Sequence, residues 1–315
     1  MKESAKERLE FLKQEIARLK EEKNALIMAH YYQREEIQEI ADFIGDSLAL
    51  ARRAAQTDAD VIVMCGVHFM GETAKILCPE KKVLVPDLEA GCSLADSCPP
   101  DEFEKFVREH PDHTVVSYVN TSAAVKALTD IVVTSGNARN IIEQLPDDEK
   151  IIFGPDRNLG EYINSVTGRN MLLWKGACHV HDRFSLEKIL EMKKEHPGAK
   201  VLVHPECQRP LQLIADKVGS TAALLEFAKT DDAKEYIVVT ESGILFEMRR
   251  KCPGKTLLAA PAEDAECQCN ECDYMKMNTL EKVYKALHDG KPEIEVDPEV
   301  AAKALLPIER MLAMS

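Results

Sequence analysis

At 315 residues and 45% apolar content the chain can bury more than one hydrophobic core, and its formal net charge is −14. That charge argues against nucleic acid and anionic membrane as partners, both being polyanions, but leaves small anions open because local geometry holds those. Ten cysteines, with no secretory leader in the sequence, disfavour a disulfide framework and favour metal or redox chemistry.

Residues 1–23 read as a charged amphipathic helix without the apolar centre of a signal peptide. No later apolar run is long enough for a bilayer, so a cytoplasmic protein is expected. The strand at 26–30 (LIMAH) then opens a pattern that returns at 115–119 (VVSYV) and 201–204 (VLVH). Twelve residues after His30, Tyr118 and His204 stand Asp42, Asp130 and Asp216, and five further on come Ser47, Ser135 and Thr221. Second strands follow at 61–64, 151–153 and 236–239, and further apolar runs, with strands at 83–86 and 171–174, lead to Cys92, Cys178 and the Cys267–Cys272 cluster.

Helical patterns at 36–56, 123–130, 138–145, 186–196 and 222–229 alternate with these strands, and 101–109 and 186–195 read as connectors. The final segments 278–289 and 297–314 are helical as well. This alternation predicts an α/β fold of three similar α/β/α (Rossmann-like) units, with parallel sheets around a pseudo-threefold axis. Breaks at Pro99-Pro100-Asp101, His110-Pro111 and His196-Pro197-Gly198 set the units at 1–109, 110–196 and 197–284. The tail, 285–315, is expected to pack on the first unit.

Strands in open α/β sheets deliver functional side chains at their carboxyl ends. Here the first strands finish in His30-Tyr31-Tyr32, Tyr118-Val119-Asn120 and His204-Pro205-Glu206. Strand side chains alternate, so residues two apart point the same way and six polar groups face one region if the units converge. Ser47, Ser135 and Thr221 each precede a helical pattern. They read as N-caps worth about 1 kcal/mol apiece, or as helix-end hydroxyls binding carboxylate or phosphate oxygens.

Cys92, in a turn after one strand, and Cys178, in Cys178-His179-Val180-His181, are single thiols far apart in sequence. The chain has neither the paired CxxC spacing of a structural zinc site nor the cysteine run of a bacterial ferredoxin. One cysteine per repeat suits an iron–sulfur cube anchored by three thiolates, with a fourth iron open as a Lewis acid. Cys65, Cys78, Cys98 and Cys252 read as buried or incidental thiols.

These residues resemble the quinolinate synthase family, iron–sulfur enzymes of de novo nicotinamide dinucleotide synthesis. The matching stretches are Ala29–Gln33, Ile40–Ser47, Pro86-Asp87 with Ala90–Cys92, Tyr118–Asn120, Phe153–Leu159, Cys178–His181, His204–Glu206, Val218–Thr221 and Cys272–Leu280. The resemblance implies a [4Fe-4S] cluster on Cys92, Cys178 and Cys272 with one open iron. It also implies condensation of iminoaspartate (iminosuccinate) with dihydroxyacetone phosphate to quinolinate, phosphate and water. His30, Ser47, Tyr118, Val119, Asn120, Ser135, His204, Pro205, Glu206 and Thr221 would bind substrate, and a transient contact with the enzyme supplying iminoaspartate is expected. Some relatives carry CxxCxxC at the last cluster where this chain has CxCxxC, so a disulfide switch through Cys267 and Cys269 does not carry over.

Glu206 is the candidate general base, since a carboxylate closed off from water can have a raised pKa. His204 and Tyr32 are candidates to shuttle protons and stabilise an enolate. Two other classes compete: an iron–sulfur electron carrier or redox sensor, which would need four protein ligands, and a zinc-stabilised dicarboxylate-binding protein without turnover.

Overall fold

The computed structural model describes residues 5–262 and 270–315. After α1 (Ala5–Glu22), the chain runs β1 (Ala25–His30), α2 (Glu35–Ile40), β2 (Phe43–Gly45), α3 (Ser47–Gln56), β3 (Val61–Cys65), α4 (His68–Leu77) and β4 (Lys82–Leu84). Two short helices, α5 (Ser93–Asp96) and α6 (Pro100–Arg108), lead on. The order then repeats as β5 (Thr114–Tyr118), α7 (Ala123–Lys126), β6 (Ile131–Val133), α8 (Ala138–Gln144), β7 (Ile151–Gly154), α9 (Arg157–Thr167) and β8 (Leu172–Leu173). Past α10 (Leu186–Glu195) it recurs as β9 (Lys200–Val203), α11 (Arg209–Leu213), β10 (Lys217–Val218), α12 (Thr221–Thr230), β11 (Glu235–Val239), α13 (Ile244–Lys251) and β12 (Thr256–Ala259). The chain closes with α14 (Asp273–Lys276), α15 (Leu280–Asp289) and α16 (Pro298–Ala313).

Each repeat forms its own parallel four-stranded sheet, in the orders β2-β1-β3-β4, β6-β5-β7-β8 and β10-β9-β11-β12. The registers correspond: Met28 faces Met64, Val116 faces Phe153 and Leu202 faces Val238. Alternation along the strands then sorts the side chains. Met28, Ile62, Val116, Phe153, Leu202 and Val238 share one continuous core. Their neighbours Ile27 and Val63, Val115 and Ile152, and Val201 and Ile237 face three separate outer layers. The three sheets thus each give one face to a common interior.

The matched aspartates explain the edge strands. Asp42 accepts the Ile27 N–H at 2.9 Å and returns its own N–H to the Ile27 carbonyl, also at 2.9 Å. Asp130 does the same with Val115 and Asp216 with Val201. This clip corrects the single helix expected at 36–56. Ala41 turns extended, at φ −72° and ψ 138°, and the chain enters β2 before α3 begins. The helices α4, α9 and α13, which follow the third-position strands β3, β7 and β11, were not anticipated.

The tail also differs from expectation. Helix α15 does pack on the first unit, against α1 and β3. Helix α16 lies mostly over β6 and α7 of the second unit, touching the first through α4. Its buried stripe, Ala304, Ile308 and Met311, has helical spacing and enters the common core. Arg310 and Gln144 fix it by bonds to the Asp130 and Met314 carbonyls. No helix among the described residues is long and apolar enough to cross a membrane.

Candidate active site

In each sheet the first and third strands lie side by side while the chain leaves them in opposite directions. Their carboxyl ends therefore open a crevice, the usual ligand position in such sheets. The three crevices meet in one cavity of about 690 Å³, its mouth included. His30, Tyr32, Ser47, Tyr118, Asn120, Ser135, His204, Glu206 and Thr221 all line it, as do Cys92, Cys178 and Cys272. Val119 and Pro205 are buried beside the rim and are not part of that lining.

A continuous row of hydrogen bonds crosses the cavity floor. Tyr32 Oη lies 2.7 Å from Thr221 Oγ1 and 2.7 Å from Thr240 Oγ1. Thr240 Oγ1 is 2.9 Å from His181 Nε2, and His181 Nδ1 is 2.9 Å from Glu206 Oε2. Tyr118 donates to the other Glu206 oxygen at 2.5 Å. For the His181 tautomer that carries its single proton on Nδ1 and gives it to ionised Glu206, each hydroxyl having one proton to give, the row has one consistent direction. Thr221 donates to Tyr32, Tyr32 to Thr240, Thr240 to His181 and His181 to Glu206. The row joins the first unit's Tyr32 to the second unit's His181 and Tyr118 through Thr240 and Glu206 of the third.

Burial alone would raise the Glu206 carboxyl, but His181 and His204 beside it, together with the bonds from His181 and Tyr118, hold it below the usual carboxylate range. This replaces the raised pKa expected of a buried base: Glu206 rests ionised. Burial lifts the phenols of Tyr32 and Tyr118 well above their ordinary value, and Glu206 adds to both, so both remain donors. His30 and His204 are pushed down to about 3, chiefly by burial. Each ring accepts the backbone N–H two residues on through Nδ1, from Tyr32 at 3.2 Å and Glu206 at 3.4 Å. A neutral imidazole so engaged carries its proton on Nε2.

The matched hydroxyls do not cap their helices. Asp46 caps α3 by accepting from Ala49, Ser220 caps α12 by accepting from Ala223, and Asn137 stands at the cap of α8. Ser47, Ser135 and Thr221 are thereby left to line the cavity, Ser47 and Thr221 as first residues of their helices. Asn120 Oδ1 is buried without a hydrogen-bond partner, the kind of orphan a ligand satisfies. The loop that bears Asn120 is pinned by buried Lys126, whose ammonium donates to the Val119 carbonyl at 2.8 Å and to that of Thr121. Burial pushes this lysine down to about 8.

The three cysteines come from three separate loops and are free thiols. Burial raises Cys92 to about 12 and Cys272 to about 11, and holds Cys178 well above the ordinary value. All three line the same cavity. These are soft donors that must shed protons to take a metal. Cys178, His181 and Glu206 also offer ligand atoms within 4.8 Å of one another. Cys267 and Cys269 lie outside the described residues.

His181, Thr240, Glu241 and Lys126 were missed as site residues. Thr240 and Glu241 stand just past β11, so extending the strand-end rule from first to third strands would have found them. His181 sits in a quoted motif, but only the fold shows its ring between Thr240 and Glu206.

A model of the quinolinate synthetase A protein family matches residues 14–313. The quinolinate synthase of Synechococcus sp. is 55% identical over 300 residues, 95% of this chain and 94% of that protein. That of Thermosynechococcus vestitus is 56% identical over 300 residues, again 95% and 94% of the two chains. That of Chloroherpeton thalassium is 54% identical over 302 residues, covering 96% and 94%.

Proposed function

From a chain that belongs to the quinolinate synthetase A protein family, we infer a quinolinate synthase that condenses iminoaspartate with dihydroxyacetone phosphate, releasing phosphate and water. The carrying observation is the row from Tyr32 through Thr240 and His181 to Glu206 and Tyr118, in one cavity with three free thiols. An electron carrier would need no such row.

Forming a pyridine dicarboxylate from these substrates requires protons to leave carbon and to reach leaving groups. Ionised Glu206 accepts a proton from substrate, and the row, whose protons all point toward Glu206, holds its carboxylate in place to do so. His30 and His204, as neutral N–H donors, stabilise an enolate oxygen without competing for the proton. Ser47, Ser135 and Thr221, with the backbone N–H groups at the starts of α3 and α12, bind the carboxylates or phosphate. Lys126 acts on the rim by pinning the loop that holds Asn120.

The donor set fits an iron–sulfur cluster: three soft thiols from three loops, unpaired in disulfides and lining one cavity. Cys92, Cys178 and Cys272 would hold a [4Fe-4S] cluster, which when bound supplies a Lewis-acidic iron suited to assisting loss of water. An imine substrate hydrolyses in water, so a transient contact with the enzyme that supplies it would limit its exposure.

The test is anaerobic purification followed by an assay for quinolinate from the two substrates. Formation of quinolinate with iron and sulfide present supports the reading. Zinc in place of iron, or no product from iron-loaded protein, overturns it. Cys92→Ser should lose or destabilise the cluster, and an intact cube in that variant would reject the ligand set.

A further inference from the structure

We propose that Asp156 and Glu241 are positioning residues that hold the backbone of Cys178 and Cys272 in place before any cluster binds. The proposal rests on reading those cysteines as cluster ligands. Asp156 stands two residues past β7 and Glu241 two past β11, at corresponding places in two units. Both side chains are wholly buried.

Each carboxylate has divided its oxygens between two tasks. Asp156 Oδ1 accepts from Leu159 N at 2.7 Å, capping α9, while Oδ2 accepts from Cys178 N at 3.2 Å. Glu241 Oε2 accepts from Gly243 N at 2.7 Å, while Oε1 accepts from Cys272 N at 3.2 Å. Local turn and cap chemistry accounts for one oxygen in each case. The other reaches a cysteine 22 or 31 positions away in sequence. Lys276 extends the second hold, lying 2.8 Å from Glu241 Oε1 and donating to the Tyr32 carbonyl at 2.7 Å. The Cys272 segment is thereby tied to the first unit as well as the third.

The first unit lacks this device, because Val67 occupies the matching place two residues past β3. Its Cys92 loop is held by the bond from His68 N to the Ala90 carbonyl at 2.7 Å and by Ser93 Oγ, 2.5 Å from His179 Nδ1. Two of the three cysteines therefore depend on a buried carboxylate, and the effect of removing one is specific to its partner.

The experiment follows iron release from the anaerobically purified full chain to a ferrous chelator, together with the Tm of the cluster-free protein. Asp156→Ser keeps a capping oxygen for Leu159 and deletes the acceptor for Cys178. Glu241→Gln puts an amide donor in place of one acceptor. Asp216→Asn, which weakens the Val201 clip far from the cysteines, is the comparator for simple loss of stability. Asp156→Ser and Glu241→Gln should each release iron roughly 10-fold faster than the parent, the scale expected when groups supporting metal ligands are removed. Asp216→Asn should release it at the parent rate.

Parent-like release from both site variants overturns the proposal, and so does equally fast release from Asp216→Asn at the same loss of Tm. Should Glu241→Gln not fold, Lys276→Met tests that hold, and release at the parent rate would refute it. Cys178→Ser and Cys272→Ser keep the two readings apart. Full iron in either rejects that ligand assignment, whereas iron loss there with parent-like Asp156→Ser and Glu241→Gln rejects only the positioning role.

Discussion

Glu206 is the residue on which the site turns. It is fully enclosed, yet its two oxygens accept from His181 and Tyr118, which compensate the desolvation of an anion. Glu206→Gln keeps the shape and removes the base, so turnover should fall by about 10²–10⁴, the usual contribution of a positioned base. The cluster's visible absorbance should stay at the parent level, and retained turnover would take Glu206 out of the base role. His30 and His204 lead to a pH prediction. Folding holds both near 3 rather than the ordinary 6.5, so the unfolded chain binds protons that the folded one refuses. Stability is then complete above about pH 6.5 and declines as pH falls toward 3, by up to about 1.4 kcal/mol per pH unit for each ring. Urea unfolding of the cluster-free protein should show a loss of about 2–4 kcal/mol between pH 7 and pH 5. His204→Gln should roughly halve that slope, and a flat profile would contradict the burial of both rings as neutral groups.

At the scale of elements, repetition made the architecture readable and edge chemistry hid part of it. The buried runs of β1, β5 and β9 and the offsets to Asp42, Asp130 and Asp216 were legible because a repeat preserves spacing. What those aspartates do was not legible, since clipping a neighbouring N–H is a contact between strands and leaves no local pattern. Strands of two or three residues such as β6 and β10 are too short for periodicity. Helix α9 contains Gly160 and Asn164, poor helix formers whose cost is met by packing. Helix α4 shows how packing decides. Gly71 sits inside it, where alanine ordinarily stabilises a helix by about 1 kcal/mol. A Cβ there would lie 2.5 Å from Val85 Cγ2 and 2.8 Å from Ile294 Cγ1, both in the buried core. Overpacking of that kind costs about 1–3 kcal/mol and outweighs the propensity gain. Gly71→Ala should lower the Tm of the cluster-free protein, and an unchanged or raised Tm would mean that the segments bearing Val85 and Ile294 yield easily.

The described residues form three sheets that share one interior. Each sheet gives alternate residues to the same core, and the polar row passes from unit to unit through buried side chains. The cavity therefore exists only when all three units are docked; the repeat and its arrangement about a pseudo-threefold axis were legible in sequence, whereas the bonds that join the units were not. Separating one unit would expose apolar surface from the shared core and break the bonds at Tyr32 or Tyr118 together. Local unfolding of a single unit should then cost nearly as much as global unfolding. Trp174, the chain's one tryptophan, stands just past β8 and packs its ring edge-on to Phe103. Its fluorescence reports the second unit's sheet where it packs on α6, whereas far-ultraviolet circular dichroism reports all three units. The two urea transitions of the cluster-free protein should coincide. Helix α16 supplies the second half of the test, because it packs on both the second unit and α4 of the first, and its Ile308 is fully buried in the common core. Ile308→Ala should cost about 2–5 kcal/mol and shift both transitions equally. A fluorescence transition that moves alone would show that the second unit unfolds independently, and the common core would then be three cores in contact.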